Sequence, residues 1–438
     1  MTVKLNKDQA FAVKDMKEWW RSQYNFYILR GRAGCGKTYL VDHFLDIIKP
    51  KVLLLAPTHQ AKKQLELSTK GKYVVKTVDS ALGIRPTTHK EDLKFEQVGN
   101  FSLFDNFELV GVDEAGMLDD WRIEMLTSIG IKMFFLGHES QLPPIKENKS
   151  NDDLCVSPIF EKSYPSCKLT IPERNTGHGF DFCNKLEALI YEEGDQEIPA
   201  DFDVSREFLY NYVNSEEGKN DFLSNKTKIV CWTNHHVELI SYRVRKSIFG
   251  DVINKVPFIM GDKLITSAPI NIIPDFLKKN DKQVFNLMNS KDLEVLYTNE
   301  GLEVKYFSEE VVKLNQDLHV PVYKIACSWE EKFVFIYVLV NPSDYQHIKD
   351  YYFRRSWYFQ GKDKIRKLQE MHFILSCFSQ VKFFYAATAH RLQGSTWDKV
   401  IVFNQDISKN PCIVERKKMR YVAASRHKNE LMFFRGNV

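Results

Sequence analysis

The chain has 438 residues, more than one ordinary hydrophobic core accommodates, so about two to four domains are expected. Its 61 Lys and Arg nearly balance 57 Asp and Glu, and a net charge of +4 excludes a chain-wide polycation, so a surface for a polyanion must come from local arrangement of charge. The eight cysteines, at 35, 155, 167, 183, 231, 327, 377 and 412, form no C-x-x-C pair, which argues against zinc and against a disulfide framework, and no apolar run approaches the ~20 residues that cross a bilayer.

From residue 1 to about 165 the pattern alternates strand and helix. The apolar run Phe26-Tyr27-Ile28-Leu29 leads into Gly31-Arg32-Ala33-Gly34-Cys35-Gly36-Lys37-Thr38, a G-x-x-x-x-G-K-T loop, and a helical stretch begins at Tyr39. Strand, Gly-rich loop and helix in that order cradle a triphosphate. Gly31, Gly34 and Gly36 let backbone N–H groups turn inward, Lys37 reaches the β and γ oxygens, and the Thr38 hydroxyl can coordinate Mg²⁺ at a positive helix N-terminus. Cys35 within the loop is a small space-filling residue or a point of oxidation sensitivity. Further strands are predicted at 51–56, 107–112 and 132–136, the signature of a parallel sheet with helices on both faces. The polar segment 85–106 interrupts it and reads as a small hairpin insertion.

A second α/β segment spans about 167–249, with a strand at 228–232 and a basic helix around 237–248. From about 250 to 380 the texture changes to short β-like runs at 263–267, 302–307, 320–327 and 332–340, followed by a charged, aromatic helical stretch over 343–370. That pattern suggests a small β-barrel insertion. After 381 the α/β texture returns, with strands at 399–403 and 430–434.

The chemistry after the phosphate loop is that of hydrolysis. The strand Glu108-Leu109-Val110-Gly111-Val112 ends in Asp113-Glu114. A carboxylate at the end of a buried strand can hold Mg²⁺ through water, and its neighbour can orient and deprotonate an attacking water, which assigns the metal to Asp113 and the base to Glu114. In Phe134-Phe135-Leu136-Gly137-His138-Glu139-Ser140-Gln141, Gln141 leaves a strand end toward the same sheet edge, where its amide could sense the γ-phosphate.

With these motifs in order the chain resembles the superfamily 1 helicases, and most of all the RecD- and Dda-like 1B branch, over nearly its full length. Leu5 to Gln9 resembles the family's N-terminal Gln motif, which implies that Gln9 reads the adenine edge. Ala56-Pro57-Thr58-His59-Gln60-Ala61 is similar to the motif that grips the DNA backbone, and Lys76-Thr77-Val78-Asp79-Ser80-Ala81-Leu82 to the family's next motif. Leu169-Thr170-Ile171-Pro172-Glu173-Arg174 resembles the motif whose Arg contacts the γ-phosphate. Thr388-Ala389-His390-Arg391-Leu392-Gln393-Gly394-Ser395-Thr396 is similar to the element linking DNA to nucleotide, which puts Gly394 at the nucleotide. Tyr421-Val422-Ala423-Ala424-Ser425-Arg426 resembles the element that supplies an arginine finger. The chain departs from the pattern at three positions: His138 stands where an Asp is usual, Asp79 where relatives often carry His, and Arg391 where they carry Lys.

The resemblance implies an α/β fold of two RecA-like parallel-sheet domains. The first is 1–84 with 107–165, interrupted by a β-hairpin pin at 85–106. The second is 166–249 with 381–438, interrupted by an SH3-like β-barrel insertion at 250–380. It implies an ATP- and Mg²⁺-dependent enzyme with Glu114, Gln141, Arg174 and Arg426 catalytic, moving 5′ to 3′ on single-stranded DNA. Pro57, Thr58, His59, Thr77, Asn234, Thr388 and His390 form the expected track, and Phe95 is the aromatic nearest the pin's tip. Phe101 and Phe104, closer to its base, read as packing residues. Expected partners are single-stranded DNA and single-strand/duplex junctions, a single-strand-binding or replication protein being a further candidate. A monomer without a membrane, in the cytoplasm of a bacterium or of a viral host, is expected, serving replication, recombination or repair. Two alternatives stay open: a translocase that strips proteins or acts on RNA, and a nucleotide-switched binding module with little turnover.

Overall fold

The computed structural model describes residues 5–32, 34–89, 92–143, 157–171, 178–266, 270–271, 295–296, 302–314, 317–329 and 332–436. In chain order, β1 (Phe26–Gly31), β2 (Val52–Ala56) and β3 (Val74–Thr77) precede a hairpin of β4 (Ile84–His89) and β5 (Asp92–Gln97). β6 (Leu109–Val112), β7 (Lys132–Gly137) and β8 (Ser166–Leu169) follow. The six strands outside the hairpin form one parallel sheet in the order β3-β2-β6-β7-β1-β8.

Both faces of that sheet are covered, which is why β2 and β6 are apolar and buried at every position. Successive side chains serve opposite cores. Tyr27 and Leu29 join the helices Lys7–Arg21 and Lys37–Ile48 through Met16, Leu40 and Phe44. Ile28 joins Val78, Leu82 and Leu126 on the other face. In the strand order β7 lies between β6 and β1. The loops after β1, β6 and β7, which carry the phosphate loop, Asp113-Glu114 and Gln141, therefore open at one edge, outside the carboxyl ends of parallel strands.

The insertion expected at 85–106 contains an antiparallel hairpin running from the pair Ile84↔Gln97 to the pair His89↔Asp92. Phe95 pairs with Pro86, three pairs back from the closing one. Phe101 and Phe104 meet edge to face at 6.2 Å, and Phe104 is buried in the core, the packing role predicted for them.

The remaining strands are β9 (Asp203–Val204), β10 (Thr227–Cys231), β11 (Lys263–Thr266), β12 (Ile270–Asn271), β13 (Val295–Leu296), β14 (Leu302–Lys313), β15 (His319–Trp329), β16 (Lys332–Leu339), β17 (Val381–Phe383), β18 (Ala386–Thr388), β19 (Trp397–Phe403) and β20 (His427–Phe434). A second five-stranded sheet has the order β18-β10-β19-β20-β9, with β19, β20 and β9 parallel. A third, β16-β15-β14-β11-β17, is antiparallel; four of its strands lie in the region read as a β-barrel, and β17 lies just past its expected end at 380. Here β14 runs six residues past its expected end at 307. The extension Ser308–Lys313 sets the adjacent pair Val311-Val312 among polar and charged residues, so no hydrophobic alternation marked it, yet it pairs with β15 as far as Lys313↔His319.

By compactness the chain divides into two units. One comprises Met1–Arg206, Val230–Thr233 and Thr388–Asn437, and the other Glu207–Ile229, Asn234–Ala387 and Val438. In the second unit the sequence Gly261-Asp262-Lys263 is pinned from within. Asp262 is fully buried and accepts from Arg245 Nε at 2.9 Å, the Ile259 N–H at 2.8 Å and Tyr385 OH at 3.1 Å. The helical stretch expected after residue 343 is a pair of helices, Asp344–Ser356 and Gly361–Ser376, joined through Ile348, Tyr352, Met371 and Leu375. Among the described residues no helix is long and apolar enough to cross a membrane.

Candidate nucleotide and nucleic-acid site

The phosphate loop owes its shape to glycine. Gly34 (φ 86°) and Gly36 (φ 73°) are left-handed, and Gly36 caps the helix Lys37–Ile48, whose first N–H groups are thereby left facing the loop. At Gly31 a Cβ would lie 3.1 Å from Leu169 Cβ, so the loop leaves β1 hard against β8. Lys37 Nζ donates to the Gly31 carbonyl at 2.6 Å and to the Arg32 carbonyl at 3.0 Å, which holds the ammonium across the loop, with Thr38 next in the same first turn. Cys35 is buried, and burial pushes its thiol pKa up, which favours the space-filling reading. Gln9 is buried too. Its backbone N–H donates to Asn6 Oδ1 at 2.9 Å and its Oε1 accepts from the Asn6 N–H at 3.2 Å, a capping box that starts the helix Lys7–Arg21. Its Nε2 reaches the Cys35 carbonyl at 3.4 Å, so the Gln motif is tied to the phosphate loop itself.

Asp113 and Glu114 follow β6 on the same edge. Asp113 is half-buried, and desolvation together with the Glu114 carboxylate raises its pKa to about 6 against the opposing pull of Lys37. Its Oδ1 accepts from the Glu114 N–H at 2.9 Å. Glu114 has a left-handed backbone (φ 48°), a strained state for a residue with a side chain, and such strain collects at functional sites. Its Oε2 is buried with no hydrogen-bond partner among the described residues, and so is Gln141 Oε1. Gln141 hangs over this turn: a Cβ on Gly116 would lie 3.7 Å from Gln141 Oε1. Arg426 is buried, donating through Nε to the Val422 carbonyl at 3.1 Å and through Nη2 to Ser425 Oγ at 2.9 Å. Burial works against its charge, and the Glu114 carboxylate is the largest influence supporting it. The structure thus brings Lys37, Asp113, Glu114, Gln141 and Arg426 together. Two orphaned buried acceptors beside a carboxylate and a hydroxyl at Asp113 and Thr38 fit a hydrated hard cation and its phosphate ligands.

His138 lies in a buried cluster that the sequence did not reveal. The ring is kept neutral, its pKa pulled down to about 2 by burial and then by the surrounding cations Lys37, Lys168, Arg32 and Lys418. Its Nδ1 accepts from the Ser140 N–H at 3.3 Å and its Nε2 lies 3.2 Å from Glu187 Oε1. Glu187, on the helix His178–Ile190, also accepts from Ser140 Oγ at 3.0 Å and pairs with the phosphate-loop residue Arg32, which bonds Asn184 as well. Lys418 Nζ donates to the Glu139 carbonyl. The loop after β7 is therefore fastened to the phosphate loop and to two helices distant in sequence.

Three of the residues expected to touch DNA share one local design. Thr58, Thr77 and Thr388 each stand at a helix N-cap, accepting from the N–H three residues on: Ala61 at 3.1 Å, Ser80 at 3.2 Å and Arg391 at 3.4 Å. Such a hydroxyl accepts from the helix and keeps its own proton to donate outward, at a terminus that favours anions. Pro57 directly precedes the first of these caps. His390 Nε2 lies 3.4 Å from Glu415 Oε1. Gly394 is left-handed (φ 88°), and its neighbours Gln393 Nε2 and Ser395 Oγ are buried without hydrogen-bond partners among the described residues. Asp79 forms a two-point pair with Arg122, at 2.6 and 3.0 Å, which gives it a structural partner in place of the His of relatives. Asn234 opens the helix Asn234–Phe249 in the second unit. The strand end before it is held by Asp406, which accepts from the Trp232 and Thr233 N–H groups, both at 2.8 Å, a role no motif announced. Arg174 lies outside the described residues, as do the side chains of His59 and Phe95.

A model of the AAA domain family matches residues 4–161, and one of the viral superfamily 1 RNA helicase core domain matches residues 349–435. The chain is 24% identical to the ATP-dependent DNA helicase dda of Enterobacteria phage T4 over 465 residues, covering 98% of this chain and 99% of that protein. Among solved structures it is similar to that of two coordinating Pif1 helicases at forked duplex DNA, with TM-score 0.52, 14% identity and coverage of 100% and 93%. It is also similar to the Bacteroides Pif1 helicase in complex with ADP-AlF3 and single-stranded DNA, with TM-score 0.51, 15% identity and coverage of 98% and 92%. At these identities the structural likeness establishes a fold of two RecA-like domains.

Proposed function

We propose that this superfamily 1B helicase of the RecD- and Dda-like branch is an ATP-dependent DNA helicase that moves 5′ to 3′ along single-stranded DNA. The observation that carries the reading is the meeting of Glu114 and Gln141, each with a buried unpartnered oxygen, with Lys37, Asp113 and Arg426 at one sheet edge.

In this reading the glycine-shaped loop and the N-terminus of the helix Lys37–Ile48 hold the phosphates, and Lys37 exchanges its loop carbonyls for β and γ oxygens. Thr38 and Asp113 would hold Mg²⁺, which neutralises charge on the phosphates when bound. Glu114 orients a water with its free Oε2 and takes its proton, while Gln141 senses the γ-phosphate. Arg426 supplies positive charge to the transferring phosphoryl group, a contribution of about 10³–10⁵ in rate for such an arginine. Arg174 would add a second cation, and Gln9, already bonded to the Cys35 carbonyl, reads the base. Loss of the γ-phosphate removes what Gln141 and Arg426 both contact, and that change moves the DNA-gripping elements. Pro57, Thr58, His59, Thr77, Thr388 and His390 grip the backbone from caps and strand ends, with Asn234 a further contact. Phe95 on the hairpin meets the junction. The residue ranges set out for the two RecA-like domains and the SH3-like insertion belong to the same proposal.

The test is ATP-dependent strand displacement on two duplexes differing only in a 5′ or a 3′ single-stranded tail, with Glu114→Gln as control. Unwinding confined to the 5′ tail is expected, with E114Q binding ATP but showing no turnover. Unwinding from the 3′ tail alone would overturn the polarity, and undiminished turnover in E114Q would remove the base.

A further inference from the structure

The site above makes no use of the loop joining the helices Asp344–Ser356 and Gly361–Ser376, and there several local preferences are broken at once. Trp357, Tyr358 and Phe359 are consecutive and 65%, 87% and 38% exposed. Between Arg354 and Lys367 the sequence has six cations, Arg354, Arg355, Lys362, Lys364, Arg366 and Lys367, against one carboxylate, Asp363. The segment carries more net positive charge than the +4 of the entire chain. Lys362 and Lys364 fall within the first four residues of the helix Gly361–Ser376, at the positive end of the helix dipole, where acids are favoured and cations disfavoured. The N-cap residue, Gln360, makes no side-chain cap bond, and Gly361 follows it in a left-handed state (φ 55°).

Contacts inside the tip orient part of it. Arg355 Nη1 donates to Tyr351 OH at 2.7 Å with its guanidinium 5.6 Å from that ring, and Trp357 meets Phe353 edge to face at 5.8 Å. Lys367 pairs with Glu370 at 2.8 Å and lies 5.8 Å from the Phe359 ring. Tyr358 nevertheless keeps most of its ring in solvent, and Arg354 is exposed beside it. Exposed aromatics, an inverted charge at a helix terminus and a missing cap in one turn all oppose local stability, and positions of that kind serve function.

We propose that this helical-hairpin tip is an additional binding element for single-stranded nucleic acid, with Trp357 and Tyr358 stacking on bases and Arg354, Arg355 and Lys364 holding phosphates. The inference rests on the helicase reading and extends it to a surface outside the motifs. Charge complementarity selects a polyanion as the occupant. The aromatics select a single strand, because base faces are open to stacking there and covered in a duplex.

The experiment uses the full chain with short and long oligothymidylates and a blunt duplex, comparing wild type with W357A/Y358A and R354A/R355A. The wild type should bind the long oligonucleotide more tightly than the short one. W357A/Y358A should lose about tenfold or more of the affinity for the long one. R354A/R355A should lower the salt slope by roughly 0.7 per arginine removed. ATP turnover at saturating single strand should be unchanged in both variants. Equal affinity of variants and wild type for every oligonucleotide would overturn the inference alone and leave the tip as a protein-binding surface. An equal loss on the blunt duplex would overturn the stacking assignment. A wild type that binds neither oligonucleotide and does not hydrolyse ATP would overturn the helicase reading beneath it.

Discussion

Asp113 and Glu114 are neighbours in the chain, yet the fold gives them different environments. Asp113 is half-buried, and desolvation with the Glu114 carboxylate beside it raises its pKa from 3.8 to about 6, so its ionised form is maintained at a cost on the order of 3 kcal/mol without a bound cation. A raised carboxyl pKa makes stability fall as pH rises from 3.8 to about 6 and stay level above that. Asp113→Asn should therefore raise the melting temperature of the nucleotide-free protein at pH 7.5 while abolishing Mg²⁺-dependent turnover, checked by thermal unfolding and an ATPase assay on one preparation. His138 has the opposite sign. A ring whose pKa falls from 6.5 to about 2 on folding contributes stability that is complete above pH 6.5 and is lost as pH falls below it, because the unfolded chain then takes up a proton. Urea unfolding between pH 6.5 and 5 should show a loss of up to roughly 1.4 kcal/mol per pH unit from this ring, absent in His138→Asn. An unchanged slope in that variant would show that other groups govern the transition.

Elements place the threonines. Each ends a strand or its following turn and caps the next helix, so Thr58, Thr77 and Thr388 have a folding role even before any nucleic acid is considered. Thr77→Val should cost about 1 kcal/mol of stability through the lost cap and weaken single-strand binding, whereas Thr77→Ser should restore both. Binding that survives in T77V after correction for stability would leave Thr77 as a cap alone. The same scale explains what the sequence reading missed. Motif order located Gln141, but Glu187 sits 46 positions further on in a helix with no motif, and only packing of that helix onto the loop after β7 makes it a partner of His138, Ser140 and Arg32. Asp406 escaped for the same reason, being one acid in a four-residue helix that closes the end of β10. The second half of β14, with Val311 and Val312 adjacent, offered no alternation to read, because its stability comes from ladder pairing with β15.

At the scale of the molecule, a net charge of +4 spread over 438 residues supplies little general attraction for a polyanion, so affinity for DNA has to come from a few local contacts. Log affinity for single strands should fall linearly with log salt at about −0.7 per neutralised phosphate. Titration by fluorescence anisotropy over a series of salt concentrations would check this, and a flat response would remove the phosphate contacts assigned here.

The sequence by itself determined the phosphate loop, the Asp-Glu strand end, the Gln141 loop and their order, because these are local patterns: a glycine's backbone freedom and a carboxylate after an apolar strand need no partner to be recognised. It also determined four of the six strands of the parallel first sheet, within two residues of their expected bounds at 26–31, 52–56, 109–112 and 132–137, while β3 and β8 carried no strand signal of their own. Tertiary structure alone decided what those residues face. The strand order put β7 between β6 and β1, which brought Gln141 over the Glu114 turn. Packing across long sequence separations buried Arg426 within the field of Glu114, left the Glu114 and Gln141 oxygens without partners among the described residues, and held His138 neutral beside Glu187. Burial and orphaned hydrogen bonds are properties of contact between distant segments, and no local pattern encodes them.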